Sequence, residues 1–250
     1  MPDDMTHLQD DAAATRQARI DLAAVFRTTA RLNMHEGVCN HISVMLPGRR
    51  FLINPKGVAF ERITASGLLV IDAHGTTLEG VGRAPTTGFT IHTQVHLKHP
   101  AARVVMHLHA PYSTAITAIR QGRVQMVHQN STRFFGDIAY DDHFNGIADA
   151  TGEGERMAEA MGSKRVLFLA NHGVVIVGDT LAQAFDDFYY LERACQVQIL
   201  AMGSGQPLNI MSDEMARSTH DQFARFSINA ELHMEEIKRV LDEREPGYAA

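Results

Sequence analysis

The segment V-V-M-H-L-H-A-P, residues 104–111, is an apolar run that carries two histidines, His107 and His109. The run of apolar residues predicts a β-strand over 103–109. Because successive side chains of a strand point to opposite faces, these two histidines lie on the same face. A second apolar segment, L-A-N-H-G-V-V-I at 169–176, places His172 in a turn between two predicted strands. Gly173 follows it and permits close approach of the backbone.

Three imidazoles presented into one cleft would form an open divalent-metal site. A histidine in an apolar strand is more often a core residue than a ligand, and one H-x-H among 14 histidines is weak evidence alone. His172 strengthens the case, and His107, His109 and His172 are the candidate ligands. We expect one divalent transition metal per subunit, with zinc favoured and manganese, cobalt or iron(II) as alternatives. Three protein ligands leave positions open for substrate, as in catalytic sites.

Composition excludes several classes of function. The formal net charge of -6 argues against nucleic-acid binding, since no basic stripe faces the phosphates. The apolar runs are too short to cross a membrane, and the acidic N-terminus does not resemble a signal peptide. Two cysteines, Cys39 and Cys195, give no disulfide framework and are interpreted as buried thiols. We therefore expect a cytoplasmic protein with a small-molecule substrate.

The hydrophobic pattern predicts one compact α/β unit. Helices are expected over 14–35, 89–98, 112–120, 179–202 and 212–244. Strands are expected over 42–46, 50–54, 68–72, 103–109, 166–169 and 174–177, and an extended segment over 124–127.

Five motifs occur in an order that resembles the class II aldolase/adducin family: G-V-C-N-H-I-S (37–43), N-P-K-G (54–57), P-T-T-G-F-x-I-H (85–92), H-L-H (107–109) and N-H-G (171–173). The resemblance covers about residues 18–205. It implies a three-layer α/β/α sandwich with a mainly antiparallel central sheet, and a homo-oligomer, with a tetramer favoured. Residues 1–17 are then an N-terminal extension and 206–250 a C-terminal helical extension.

The resemblance also implies roles for individual residues. His107, His109 and His172 match the family's metal ligands. Four residues match the positions of the family's phosphate-binding set: Asn40, Gly57, Thr86 and Thr87. Lys56 adds a positive charge beside them. Backbone amides at a helix start favour a bound anion, which could be a phosphate or a carboxylate. The alternative is that a threonine caps the helix and that Gly57 only turns the chain.

One position departs from the family pattern. Family members that cleave sugar phosphates carry a glutamate acid/base directly after the hydroxyl pair, where this chain has Gly88. Glycine has no proton to exchange, so that role cannot be transferred. The segments R-F-F-G-D-I-A-Y (133–140) and Y-Y-L-E-R-A-C (189–195) resemble the adducin-like branch. His92 lies one turn beyond Gly88 and is a candidate catalytic residue that points towards the site. The alternative is that it belongs to a packed or solvated helix face together with His96 and His99. His128 is either a proton donor or has no role.

These observations predict a divalent-metal-dependent carbon–carbon lyase. It would act by aldol cleavage or decarboxylation on a small hydroxy- or keto-acid or a hydroxycarbonyl compound, through a metal-stabilised enolate. Loss of the glutamate favours decarboxylation, or cleavage with water as proton carrier. Two alternatives use the same scaffold, an iron-dependent oxygenase and a dehydratase. The third is a non-enzymatic, adducin-like binding module.

Overall fold

Eight strands form a single sheet in the computed structural model, which describes residues 3–147, 151–223, 225 and 228–250. The spatial order is β4-β3-β2-β1-β5-β8-β7-β6. Every pair is antiparallel except β6 with β7. The strands are β1 (His41–Leu46), β2 (Arg50–Ile53), β3 (Leu69–Ile71), β4 (Thr77–Glu79), β5 (Val104–Leu108), β6 (Ile138–Asp141), β7 (Val166–Leu169) and β8 (Val174–Gly178).

Helices cover both faces of this sheet. They are α1 (Asp3–Arg31), α2 (Thr86–Lys98), α3 (Pro111–Thr117), α4 (Thr151–Met161), α5 (Leu181–Met202), α6 (Asp213–Phe223) and α7 (Ile228–Arg244). Short 3-10 helices lie at Phe60–Arg62, Gln129–Phe134 and Pro246–Ala249. Among the helices of the described part, none is both long and apolar enough to cross a membrane.

The central strand β5 shows how the layers are built. Val105 packs in a core with α2 and α4, whereas Val104 and Met106 belong to the larger core beneath α1 and α5. This alternation follows from the two-residue period of a strand. The arrangement confirms the predicted three-layer α/β/α sandwich with a mainly antiparallel sheet.

A buried carboxylate fixes the chain directly after β5. Glu192 of α5 is 1% exposed, and its two oxygens accept hydrogen bonds from the backbone N–H groups of Tyr112 and Ser113, at 2.7 and 2.8 Å. These are first-turn amides of α3, which have no partner within the helix. The end of β5, where the histidines lie, is thereby anchored to α5.

Several predicted elements differ from the structure. Helix α1 extends from residue 3 to 31 rather than from 14 to 35, and the 124–127 segment forms no strand. The pattern missed β4, β6 and α4. The predicted final helix is divided into α6 and α7, and its residues 224, 226 and 227 lie outside the described ranges.

The proposed domain boundaries remain predictions. The division between residues 17 and 18 falls within α1, and residues 1–2 of the N-terminal extension lie outside the described ranges. Residues 206–250 contain α6, α7 and the last 3-10 helix.

Candidate metal centre and its cleft

The three candidate ligands converge at one end of the central strands. His107 lies in β5, His109 one residue beyond it, and His172 in the turn between β7 and β8. The Nε2 atom of His107 is 3.2 Å from Nε2 of His109 and 3.2 Å from Nε2 of His172. Among the residues that the structure describes, these three offer donor atoms within 4.8 Å of one another. The spacing is that of ligands around one ion.

Hydrogen bonds determine which ring nitrogens are free. His107 donates from Nδ1 to the carbonyl oxygen of Val174, at 3.1 Å. His109 donates from Nδ1 to the Glu36 carboxylate, at 2.6 Å. In a neutral imidazole with Nδ1–H, the Nε2 lone pair is available. Both rings therefore present Nε2 lone pairs to the same point, and a backbone or carboxylate acceptor behind a histidine is typical of metal ligands.

Burial keeps the imidazoles of His107 and His172 neutral. It lowers the pKa of His107 well below its usual value, and the neighbouring histidines add repulsion. Burial, followed by repulsion from His109, lowers the pKa of His172 to about 4, although Glu153 and Glu36 act in the opposite direction. Neutral imidazole is the form that binds a metal.

The turn that carries His172 depends on close backbone packing. Asn171 adopts a positive φ of 55°, which asparagine tolerates better than most residues. A Cβ atom at Gly173 would lie 2.5 Å from Cδ2 of His109 and 2.7 Å from the carbonyl oxygen of Leu108. Glycine is thus required here for His109 to lie against the turn.

The predicted anion-binding residues divide into two groups. Lys56, Gly57, Thr86 and Thr87 line a cleft of about 680 Å³ together with the three histidines. Asn40 is fully buried, and its Oδ1 accepts hydrogen bonds from the backbone N–H groups of Glu36 and His109. Its Nδ2 has no hydrogen-bond partner among the described residues. Asn40 thus holds the loop that carries Glu36 against the end of β5.

Part of the cleft lining is apolar. Val38, Phe144 and Ile147 form this part and are 43%, 54% and 79% exposed. Cys39 also lines the cleft and is exposed, so its interpretation as a buried thiol was wrong; Cys195 is buried as expected.

A cluster of buried polar side chains lies between β1 and α2, beside the metal ligands. His41 Nδ1 is 2.9 Å from His92 Nε2, and Ser43 Oγ lies 2.5 Å from His92 Nδ1 and 2.7 Å from His96 Nε2. The α2 face with His92, His96 and His99 is therefore packed, since all three are buried. His92 lies behind His41 rather than among the described residues that line the cleft.

This cluster predicts acid sensitivity of the fold. Burial lowers the pKa of His96 from 6.5 to about 4, against the effect of its hydrogen bond to Ala102. Between these pH values the unfolded chain binds a proton that the folded chain does not. The contribution of neutral His96 to the free energy of unfolding is thus complete above pH 6.5. It is lost as the pH falls towards 4, and the loss amounts to about 3 kcal/mol.

Urea unfolding of metal-free protein at neutral pH and at about pH 5 measures this loss. We expect the free energy of unfolding to fall less between these pH values in His96→Leu than in the wild type. In His74→Gln, which replaces an exposed histidine, we expect it to fall as much as in the wild type. An equal loss in wild type and His96→Leu would contradict the assignment.

The structure places the remaining candidates elsewhere. His128 precedes the 3-10 helix Gln129–Phe134, and its backbone exchanges hydrogen bonds with Ser131. It is not among the described cleft-lining residues. Two neighbours of the ligands, Glu36 and His41, escaped the sequence interpretation. For His41 a signal existed, because His41 and Ser43 alternate with apolar residues in β1 and so share one polar face.

Comparison with known proteins identifies the family of this chain. The profile of the family described as Class II Aldolase and Adducin N-terminal domain matches residues 20–199. A putative aldolase class 2 protein of Caulobacter vibrioides is 35% identical over 241 residues, which cover 93% of this chain and 92% of that protein.

Two Streptomyces relatives carry more specific names. Decarboxylase NovR of Streptomyces niveus is 33% identical, covering 80% of this chain and 75% of its own length. A protein of Streptomyces roseochromogenus subsp. oscitans, named 4-hydroxy-3-prenylphenylpyruvate oxygenase/4-hydroxy-3-prenylbenzoate synthase, is 32% identical, with coverages of 80% and 73%.

Solved structures share the architecture over almost the whole chain. An aldolase II superfamily protein from Pseudomonas syringae superposes with a TM-score of 0.87 at 29% identity, covering 94% of this chain and 96% of that one. L-fuculose 1-phosphate aldolase from Glaciozyma antarctica PI12 gives a TM-score of 0.80 at 26% identity, with coverages of 95% and 94%. The resemblance predicted from the motifs is confirmed, and the chain belongs to the class II aldolase and adducin family.

Proposed function

We propose that the protein is a divalent-metal-dependent carbon–carbon lyase acting on a small hydroxy- or keto-acid or a hydroxycarbonyl compound. The observation that carries the proposal is the convergence of three Nε2 atoms within 4.8 Å at the wall of the cleft. The ring orientations of His107 and His109 suit this role, because Val174 and Glu36 hold their Nδ1–H groups. Three neutral imidazoles fit zinc, with manganese, cobalt or iron(II) as alternatives.

The chemistry depends on the open side of this centre. A divalent cation held there supplies Lewis-acid stabilisation of the charge that develops when a bond beside a carbonyl group breaks. Lys56 and the amino end of α2, with Thr86 and Thr87, bind the anionic end of the substrate, a carboxylate or a phosphate. Val38, Phe144 and Ile147 contact an apolar substituent.

Decarboxylation is the favoured reaction. Gly88 has no side chain that could take the proton from the hydroxyl group that becomes the aldehyde carbonyl in an aldol cleavage. Decarboxylase NovR, at 33% identity, supports this choice, whereas the L-fuculose 1-phosphate aldolase supports aldol cleavage. With zinc-loaded protein and a panel of aryl- and alkyl-substituted hydroxy- and keto-acids, we expect carbon dioxide release without oxygen consumption. Aldehyde release instead would indicate aldol cleavage.

An iron-dependent oxygenase is the second candidate, because one relative is named an oxygenase. Oxygen uptake by iron(II)-loaded protein, matched by product, would replace the lyase proposal. A dehydratase would release neither carbon dioxide nor aldehyde. Purified protein that binds no divalent metal would favour the adducin-like binding module.

Glu36 offers a test of the metal centre that leaves the three ligands unchanged. Glu36→Gln removes the negative charge that orients His109 and strengthens its donor atom. We expect metal affinity to fall about tenfold, measured by competition with a chromophoric chelator. Glu61→Gln, which changes a carboxylate beside His35, is the matched control. Equal affinity in both variants would contradict the role of Glu36.

We further propose a homotetramer in the cytoplasm. Apolar side chains in the last turns of α5 are exposed, Leu200 by 61% and Met202 by 41%, and they suit a subunit contact. The two cysteines are unpaired, as in a reducing compartment. Sedimentation equilibrium of the purified protein tests the tetramer.

A further inference from the structure

We propose that His41 contacts the substrate, and that its Nε2 atom accepts a hydrogen bond from a hydroxyl group at C2 of a 2-hydroxy-3-oxo acid, whose C3 carbonyl group would take up the electron pair when the carboxylate leaves C2 as carbon dioxide. This inference rests on the proposed lyase function, and it narrows the substrate class of the same cleft.

The position of His41 follows from strand pairing. His41 begins β1 and lies opposite His107 in the register of β1 with β5. The two ring centroids are 5.0 Å apart. His41 lines the cleft together with the three candidate ligands and Thr87. A substrate bound at the open side of the ligand set would therefore meet this ring.

The hydrogen bonds of the buried cluster form a chain from Ala102 to His41, and the acceptor at Ala102 determines the direction of each of them. The carbonyl oxygen of Ala102 can only accept, so His96 donates to it from Nδ1, at 2.6 Å. Nε2 of neutral His96 then accepts from the Ser43 hydroxyl, whose oxygen accepts from Nδ1 of His92. Nε2 of His92 in turn accepts from Nδ1 of His41. The remaining nitrogen of His41, Nε2, is left as an acceptor.

This acceptor lacks a well-placed donor among the described residues. The Thr87 hydroxyl lies 3.4 Å from His41 Nε2, at the long end of the hydrogen-bond range. Three further buried residues behind the ring determine its tautomer, so the cleft presents a fixed lone pair. A substrate hydroxyl can donate to this lone pair, whereas a carbonyl group cannot.

Gly88 provides the space for this ring. A Cβ atom there would lie 2.9 Å from Cγ and 3.0 Å from Cδ2 of His41. The ring cannot move without loss of its hydrogen bond to His92. The His41 ring can therefore occupy its observed position only because residue 88 has no side chain.

The test compares lactate with pyruvate, which have the same carbon skeleton but differ in a hydroxyl donor at C2. Binding to the zinc-loaded protein is measured by calorimetry. We expect His41→Asn to lower the preference for lactate about tenfold. Asparagine can keep a donor near the Nδ1 position but places nothing at Nε2. His41→Gln puts an amide oxygen near the Nε2 position, and we expect it to retain more of the preference.

A pair of glycine variants gives an independent measurement if His41 variants fold poorly. Gly88→Ala displaces the ring, whereas Gly152→Ala makes the same change near the start of α4, where a Cβ atom has open space. We expect the lactate preference to fall in Gly88→Ala alone, with zinc content unchanged.

The outcomes separate the two proposals. If zinc-loaded wild type binds neither acid, the proposed lyase cleft is wrong and the inference falls with it. Suppose instead that the wild type binds both acids, and that the preference for lactate in His41→Asn and in Gly88→Ala equals that of the wild type. The proposed metal cleft then stands, and the proposed role of His41 is wrong.

Discussion

Replacing His109 with alanine is expected to reduce bound metal from about one ion per chain to about a tenth of that. His109 supplies one of three Nε2 atoms that lie within 4.8 Å of one another. Two remaining imidazoles hold an ion far more weakly than three, and lyase activity should be lost with the metal. Elemental analysis after dialysis against a weak chelator measures the change.

The matched control is His74→Ala, which removes an exposed histidine from a turn between β3 and β4. We expect its metal content to equal that of the wild type. The fold should survive His109→Ala, because this side chain is partly exposed and lies outside the apolar cores. Full metal content in His109→Ala would show that the ion binds elsewhere and would remove the basis of the proposed function.

The geometry of the histidine pair could be predicted from the sequence because it depends on local periodicity. An apolar run of strand length places His107 and His109 on one face, whatever the rest of the fold does. The structure retains this relation although β5 ends at Leu108. His172 was also predictable, since two apolar strands flank a short turn that ends in Gly173.

Glu36 and His41 could not be placed in the same way. Each acts on a ligand far along the chain: Glu36 on His109, and His41 beside His107. Those contacts depend on the pairing of β1 with β5, a non-local register that no single segment encodes. The interpretation of Gly88 changed for the same reason, because only the structure shows which ring occupies the space beside it.

The missed secondary structure has a different cause. Strand β4 is only three residues long and mostly exposed, and β6 is partly exposed along most of its length, so neither shows a buried apolar run. Helix α4 contains two glycines, which weaken helix propensity. It is retained by packing of Met157 and Met161 against α2 and the sheet. Tertiary contacts, rather than local preference, determine these elements.

Gly173→Ala should cause the largest loss of metal affinity among changes that leave every ligand in place. The new Cβ atom would lie 2.5 Å from Cδ2 of His109 and 2.7 Å from the carbonyl oxygen of Leu108. The carbonyl belongs to β5 and cannot move away, so the His172 turn and the His109 ring must separate. We expect a loss of about 3 kcal/mol in the free energy of unfolding and at least about a tenfold loss of metal affinity.

Gly247→Ala is the control, because a Cβ atom at that position has no neighbour within 4 Å. Urea unfolding and chelator competition, measured on both variants, separate a general loss of stability from a defect of the centre. A variant with reduced stability but normal affinity would mean that the imidazoles regain their arrangement when the ion binds. The contact of Gly173 with His109 would then serve the fold, and the three Nε2 atoms would owe their convergence to the ion rather than to the turn.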